Sequence, residues 1–391
     1  MSNSNRIVRV TAGALTALAL TAAAQTQSPP PAAVPAPAAS TPANWHFAGV
    51  DWTGFLDGYY GYNNNHPTNA ANGQSNDLYN FDDKTNQADL DSARITFNRD
   101  PAWVGVHGDF IFGRTNKLIH PGTAKYDPYA VEQAFVSFKP PRAHGAEFDL
   151  GQFVTSAGAE TIEAKDNWNY SRSILFAWAI PYYHFGLRTS VPVTKTWTPG
   201  IQLVNGWNNV VNNEGGPTVG LTSAYTVAKY TWSLNVYTGP EKSAGVGEYR
   251  NLIDTTLLLT PNAKFNAYIN YDFGLNHTDA FTVKGVPTPA SSADWQGIAL
   301  AAHQLLPHNS ALSARWEYFN DADGFATGAT QHVQEATGTF EHQWWASRFI
   351  GRLEYRRDWS NQDFFHKGPN ELVDAQSTLT GGVILVLAPK R

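Results

Sequence analysis

Apolar and polar residues alternate every second position through much of this chain. No apolar run approaches the roughly 20 residues that a membrane-crossing helix needs. A strand sends successive side chains to opposite faces, so a two-residue period predicts strands with one apolar and one polar face. In "KYTWSLNVYTG" (229–239), Tyr230, Trp232, Leu234 and Val236 oppose Thr231, Ser233 and Asn235. In "AKFNAYINYDF" (263–273), Phe265, Ala267, Ile269, Tyr271 and Phe273 oppose Lys264, Asn266, Asn270 and Asp272. Segments around Val104–Phe112, Leu312–Tyr318 and Phe349–Tyr355 read the same way. A soluble β-sandwich alternates too, so the connections must decide.

Short links fall at 98–101, 139–145, 194–196, 260–263 and 307–309. Long ones fall at 63–86, 114–128, 155–181, 276–292, 320–330 and 358–372. Tight turns on one side and long loops on the other describe an antiparallel up-and-down transmembrane β-barrel. Lipid offers no hydrogen bonds, so every spanning backbone group must be paired inside the protein, and closure achieves that without edges. Sixteen strands are expected, starting near 50, 87, 102, 129, 145, 182, 197, 217, 229, 249, 263, 293, 309, 331, 345 and 373. The second, twelfth and fourteenth alternate poorly, which leaves fourteen or eighteen open. An even number puts both ends of the barrel on the periplasmic side. About sixteen strands leave a lumen wide enough for water. The polar faces carry Asn, Thr, Ser, Arg, Glu and Asp rather than a packing set.

The N-terminus supplies the export route. Arg6 and Arg9 precede "VTAGALTALALTAAA", and small residues close at Ala22–Ala24. This predicts a signal peptide over 1–24. A Pro/Ala-rich periplasmic linker follows over 25–44, with the barrel over 45–391. Removing the two leader arginines leaves 25 basic against 33 acidic residues, a net charge of −8. No basic stripe appears, which argues against nucleic acid as a partner. There are no cysteines, so no disulfide holds this exported chain together.

One stretch breaks the alternation. Residues 155–180, inside "VTSAGAETIEAKDNWNYSRSILFAWAIPYYHFGLR" (154–188), form the third long loop of a sixteen-stranded barrel. A loop folded into the lumen would narrow it, and a loop lining a wet channel must be polar yet structured. Its candidate constriction residues are Glu160, Glu163, Lys165, Asp166, Trp168 and Arg172. Arg188, Arg315, Arg352 and Arg356 point inward on the strand register and are candidate lumen-wall charges. Facing charges of this kind set ion preference through the local field. The competing reading is a loop over the barrel mouth with its charges merely solvated.

The stretch 149–188 resembles the bacterial outer-membrane putative β-barrel porin family, the OmpL-like group. So do "GFLDGYYGYNNNHP" (54–67), "VEQAFVSFKPP" (131–141) and "VNGWNNVVNNEGG" (204–216). The run from Gly151 through Phe153 and Gly158 to Glu160, followed by Asn167, Tyr170, Ser171, Arg172 and Ser173, carries most of the likeness. The resemblance covers most of the first half and implies an outer-membrane channel of a Gram-negative-type bacterium. In the family the position of Gln152 is often Lys, so one lumen charge is replaced here. Many such barrels end on an aromatic residue, whereas this chain ends "GGVILVLAPKR".

The functional expectation is a porin: passive diffusion of small hydrophilic solutes or ions through a constriction at 155–180. Outer-membrane lipid and lipopolysaccharide would surround it, and a homotrimer is expected by analogy. A carbohydrate-selective channel is the alternative, and a secreted glycan-binding β-protein a weaker one. Trp45, Trp52, Tyr59, Tyr60, Trp168, Trp207, Trp344, Trp345 and Trp359 fall mostly at strand ends and read as interfacial girdles. Trp168 and Trp178 are the exceptions, as candidates for solute contact. "NDADG" (320–324) lacks the later ligands of a calcium loop. The histidines show no zinc spacing, and no G-x-S-x-G elbow appears. Neither an enzyme nor a cofactor is expected.

Overall fold

The computed structural model describes residues 44–68, 74–120, 130–212, 216–243, 246–283 and 286–387. The expected leader and all of the linker but its last residue lie outside them. Sixteen strands form one ring. They are β1 (Val50–Asn63), β2 (Gln87–Arg99), β3 (Val104–Phe112), β4 (Val131–Phe138), β5 (Glu147–Val154), β6 (Tyr183–Ser190), β7 (Trp197–Val204) and β8 (Thr218–Val227). The second half comprises β9 (Tyr230–Ser243), β10 (Val246–Asn262), β11 (Phe265–Thr278), β12 (Ser291–Leu306), β13 (Ser310–Asp321), β14 (Gln331–Trp344), β15 (Phe349–Ser360) and β16 (Ala375–Leu387). Each pairs antiparallel with its chain neighbours. β16 closes on β1 in register, from Gly54 opposite Leu387 to Asn63 opposite Thr378. Every start lies within four residues of its expected position. A short strand, Trp45–Phe47, folds back on β1.

The two faces differ as lipid and interior require. Leu353 and Tyr355 on β15 are more than half exposed, while the alternating Arg352, Glu354 and Arg356 are buried. Tyr59 departs from the girdle expectation. It is buried on the inner face, and its hydroxyl accepts the Lys84 N–H at 2.9 Å. Tyr60 is exposed on the outer face; two consecutive strand residues cannot share a side.

The weakly alternating strands have physical explanations. In β2, pairing with β1 shifts between Asp57 and Gly58, which leaves Asp91 unpaired in a bulge. Asp91 and Ser92 are then both buried, which breaks the period. In β12 the inward residues are Trp295, Gly297, Ala299, Ala301 and His303, mostly apolar or small, because a loop packs on them. Trp295 Nε1 donates to Ala179 O at 3.1 Å. In β14 the outward residues His332, Gln334, Ala336 and Gly338 are themselves polar or small, so neither face reads as greasy.

The long loops share a hydrophobic core inside one end of the barrel. Phe81, Ile119, Ile162, Ile174, Leu175 and Phe176 pack with Trp295, Phe319, Val333 and Phe365. Each such side chain buried in full contributes roughly 1.5–3 kcal/mol. Ile119 ends a short helix, Arg114–Ile119, in the second long loop.

Candidate functional site

The segment 155–182 leaves the ring between β5 and β6. A hydrogen bond from Thr155 N to Tyr182 O at 2.9 Å closes its base. Within it lie a single turn at Ala164–Asp166 and a π-turn at Leu175–Ala179. Many of its polar partners stand on β13–β15, across the ring from where it starts, and others on β1 and β2.

The wall acids hold loop N–H groups. Glu317 accepts from Ile174 N at 2.9 Å and Leu175 N at 3.0 Å. Glu354 accepts from Tyr170 N at 2.5 Å and Ser171 N at 2.9 Å. The wall arginines hold loop carbonyls. Arg352 donates to Ala164 O at 2.5 Å, Asn167 O at 2.7 Å and Asn169 O at 3.1 Å. Arg356 donates to Arg172 O at 2.7 Å, and Arg315 to Ser171 O at 2.8 Å. A patternless backbone has no ladder of its own, and buried backbone groups left unpaired are costly. Charged side chains on alternating wall positions supply the partners.

Glu160 joins this set. Arg315 Nη1 lies 2.8 Å from Glu160 Oε1, and Arg315 Nε lies 2.8 Å from Glu335 Oε1. Glu160 Oε2 also accepts Ser173 N at 2.6 Å. Glu163 contacts Arg94 of β2. Lys165 and Asp166 pair with each other at 2.5 Å and remain partly exposed. Trp168 is buried, stacked on His303 with centroids 5.5 Å apart and packed against a tilted Tyr268 ring at 5.2 Å. Trp178 Nε1 donates to Leu78 O at 3.0 Å. Arg172 donates to Asp91 Oδ2 at 3.1 Å and to Ile162 O at 2.6 Å. Burial opposes the charge of Arg172, but Asp91, Asp82 and Asp57 outweigh it and raise its pKa.

The four wall arginines do not form one group. Arg315, Arg352 and Arg356 are buried against the loop, each beside at least one carboxylate. Arg188 stands apart on β6. Its Nε donates to Asp149 at 2.7 Å, and its guanidinium lies over Phe135 and Phe153 at 4.9 and 4.6 Å. It keeps 21% side-chain exposure. Thr222 and Ser233, inward on β8 and β9, are also only half-buried. These inward residues on β6, β8 and β9 therefore keep partial exposure.

The first long loop was expected at 63–86, but none of its residues was in the expected site. Phe81 lies under the Arg172 guanidinium at 4.7 Å, and Asp83 takes Arg114 at 2.5 and 2.6 Å. Asp82 between them is buried, and neither carboxylate oxygen has a hydrogen-bond partner among the described residues. Its nearest cation is Arg172 Nη1 at 4.0 Å. Burial pushes its carboxyl up to about 8. The acids Glu317, Glu335 and Glu354 were also outside the expected set. Glu317 and Glu354 were legible as inward-facing by alternation, but nothing local marks them as loop anchors.

A family model described as "Putative beta-barrel porin-2, OmpL-like" matches residues 49–387. No curated protein sequence matches. Solved structures share the fold at low identity. The anion-selective porin from Comamonas acidovorans is 11% identical, with TM-score 0.56, over 86% of this chain and 99% of that one. The outer membrane channel DcaP of Acinetobacter baumannii is 12% identical, with TM-score 0.57, over 88% of this chain and 100% of that one. The trimer form of OmpT from Vibrio cholerae is 12% identical, with TM-score 0.54, over 86% of this chain and 99% of that one.

Proposed function

The chain belongs to the OmpL-like family of β-barrel porins, and from that premise we propose that residues 155–182 form the constriction of a passive channel for small hydrophilic solutes. A closed sixteen-stranded ring has a lumen that water fills unless something occupies it. The observation that carries the reading is the pair of contacts Arg315 makes, to Glu160 in the loop and to Glu335 on the wall. Such a tether supports a loop held across the interior at fixed height.

The setting is the outer membrane of a Gram-negative-type bacterium, with the short turns facing the periplasm. A homotrimer is part of the proposal, by analogy with the trimeric OmpT form.

The charge balance favours cations. Around Arg172, Arg315, Arg352 and Arg356 lie buried Asp91, Glu160, Glu335, Glu341 and Glu354, five acids against four guanidinium groups. Local charge, rather than the net charge of the chain, sets the field that a permeating ion meets.

Single-channel recording of the refolded protein in a planar bilayer under a KCl gradient tests both statements. Discrete current steps with a cation-preferring reversal potential are expected. Heat-modifiable barrel protein without steps would discard the diffusion mechanism. An anion-preferring potential would discard the charge assignment.

A further inference from the structure

The outer surface carries a second feature, and its membrane placement rests on the porin reading above. On the outward faces of β13–β16, among the described residues, Arg357 is the only formal charge. It is exposed, and one N–H donates to Ser377 Oγ at 3.1 Å. The Tyr355 hydroxyl reaches the same oxygen at 3.3 Å. Arg357 lies eight residues beyond the start of β15. At about 3.3 Å per residue and roughly 40° of tilt, that is about 20 Å above the turn side. The apolar band of such a barrel is about 25 Å tall, so the guanidinium sits at its loop-side rim.

Beside it the surface is recessed. Ala336 pairs with Arg357 across the β14–β15 ladder, and Gly338 pairs with Tyr355. A side chain added at Gly338 would meet nothing within 4 Å. Tyr355, Arg357 and Trp359 wall the depression, Ala336 and Gly338 floor it, and its volume is about 690 Å³. Asp374 lines its outer end.

We propose that this recess binds an anionic phosphoglycolipid of the outer leaflet, with a phosphate on Arg357 and an acyl segment over Ala336 and Gly338. The charge supports this occupant. A guanidinium facing lipid is tolerated at the headgroup level, where phosphate oxygens can take its remaining N–H groups in pairs. The floor supports it too, since a greasy chain fills a recess left open by the bare backbone of Gly338 and the single methyl of Ala336. Trp359 and Tyr355 are the aromatic types that settle at this interface. The Asp374 carboxylate repels phosphate and keeps the headgroup on the Arg357 side.

The test is native mass spectrometry of the whole refolded protein in detergent. The probes are diphosphorylated lipid A, its dephosphorylated form, and inorganic phosphate. Binding of the diphosphorylated lipid should weaken about tenfold or more in Arg357→Gln, in line with a charged hydrogen bond. Gly338→Leu should weaken both lipids, and Asp374→Asn should leave the affinity equal or tighter. Equal lipid affinity in wild type and Arg357→Gln would overturn the proposal. So would full competition by inorganic phosphate, or loss of an oligomer band in Gly338→Leu, which would assign the recess to a second copy of the chain. Heat-modifiable mobility confirms that each variant is folded. Conductance is recorded on the same samples. Arg357-dependent lipid binding without current would sink the diffusion channel and leave this site standing; current without such binding would do the reverse.

Discussion

Arg172 Nη2 lies 3.1 Å from Asp91 Oδ2, and Asp91 reaches it as the extra residue of the bulge in β2. Both side chains are buried. A regular β2 would carry one residue fewer between Leu90 and Ser92 and would have no acid to spare for the loop.

Breaking that pair should be costly. Arg172→Gln leaves Asp91 buried without its cation, a loss on the order of 3–5 kcal/mol. The temperature at which the barrel changes gel mobility should fall. The double variant Arg172→Gln/Asp91→Asn should recover part of the loss, because the uncompensated charge is gone. An unchanged transition in the single variant would show that the pair contributes nothing to stability.

Gly297 is the seat of the π-turn. A Cβ there would stand 2.7 Å from Leu175 Cδ1 and 2.9 Å from Phe319 Cδ2. Gly297→Val should cost roughly 1–3 kcal/mol by overpacking and lift the loop from the wall. Larger and noisier single-channel currents are expected, with the strand content by circular dichroism unchanged. Wild-type conductance would remove this loop from the constriction.

Arg188 and Arg315 should differ in what they control. Arg188 keeps partial exposure on β6, away from the loop tethers, so Arg188→Gln should move the reversal potential further toward cations while stability holds. Arg315→Gln strips the shared cation from Glu160, Glu317 and Glu335, and should lower the unfolding temperature as well. Identical behaviour of the two variants would contradict this division between them.

Docking of the first long loop should depend on pH. Burial raises the Asp82 carboxyl from its ordinary value of 3.8 to about 8. A docked loop therefore keeps a proton that an undocked loop releases between those values. Docking is unpenalised in acid and weakens as pH rises toward about 8. Protease cleavage within 74–86 should speed up over that range in wild type, and Asp82→Asn should flatten the dependence. A wild-type rate constant with pH would refute the assignment.

Much of the architecture was legible because it rests on local chemistry. Alternation across Tyr230–Tyr237 or Leu312–Tyr318 needs only the two-residue period of a strand. The spacing of turns and long loops then orders the strands. The breaks in pattern were informative in another way. β12 looked poor because Trp295 and Gly297 serve the loop rather than water, and β2 looked poor because a bulge turns Asp91 inward. These are places where the interior makes its own demands on the wall.

The chain on its own determined an antiparallel ring of about sixteen strands, strand positions to within a few residues and, where alternation is regular, which residues face inward. Those follow from periodicity and from the need to pair every backbone group in lipid. Only the tertiary structure decided what the inward charges do. Glu160 lies 155 positions from Arg315, and Ser171 lies 183 from Glu354. No local pattern encodes such pairings. They arise because closing the ring brings β13–β15 opposite the β5–β6 junction, where a loop with unpaired backbone meets buried carboxylates and guanidinium groups that need partners of their own.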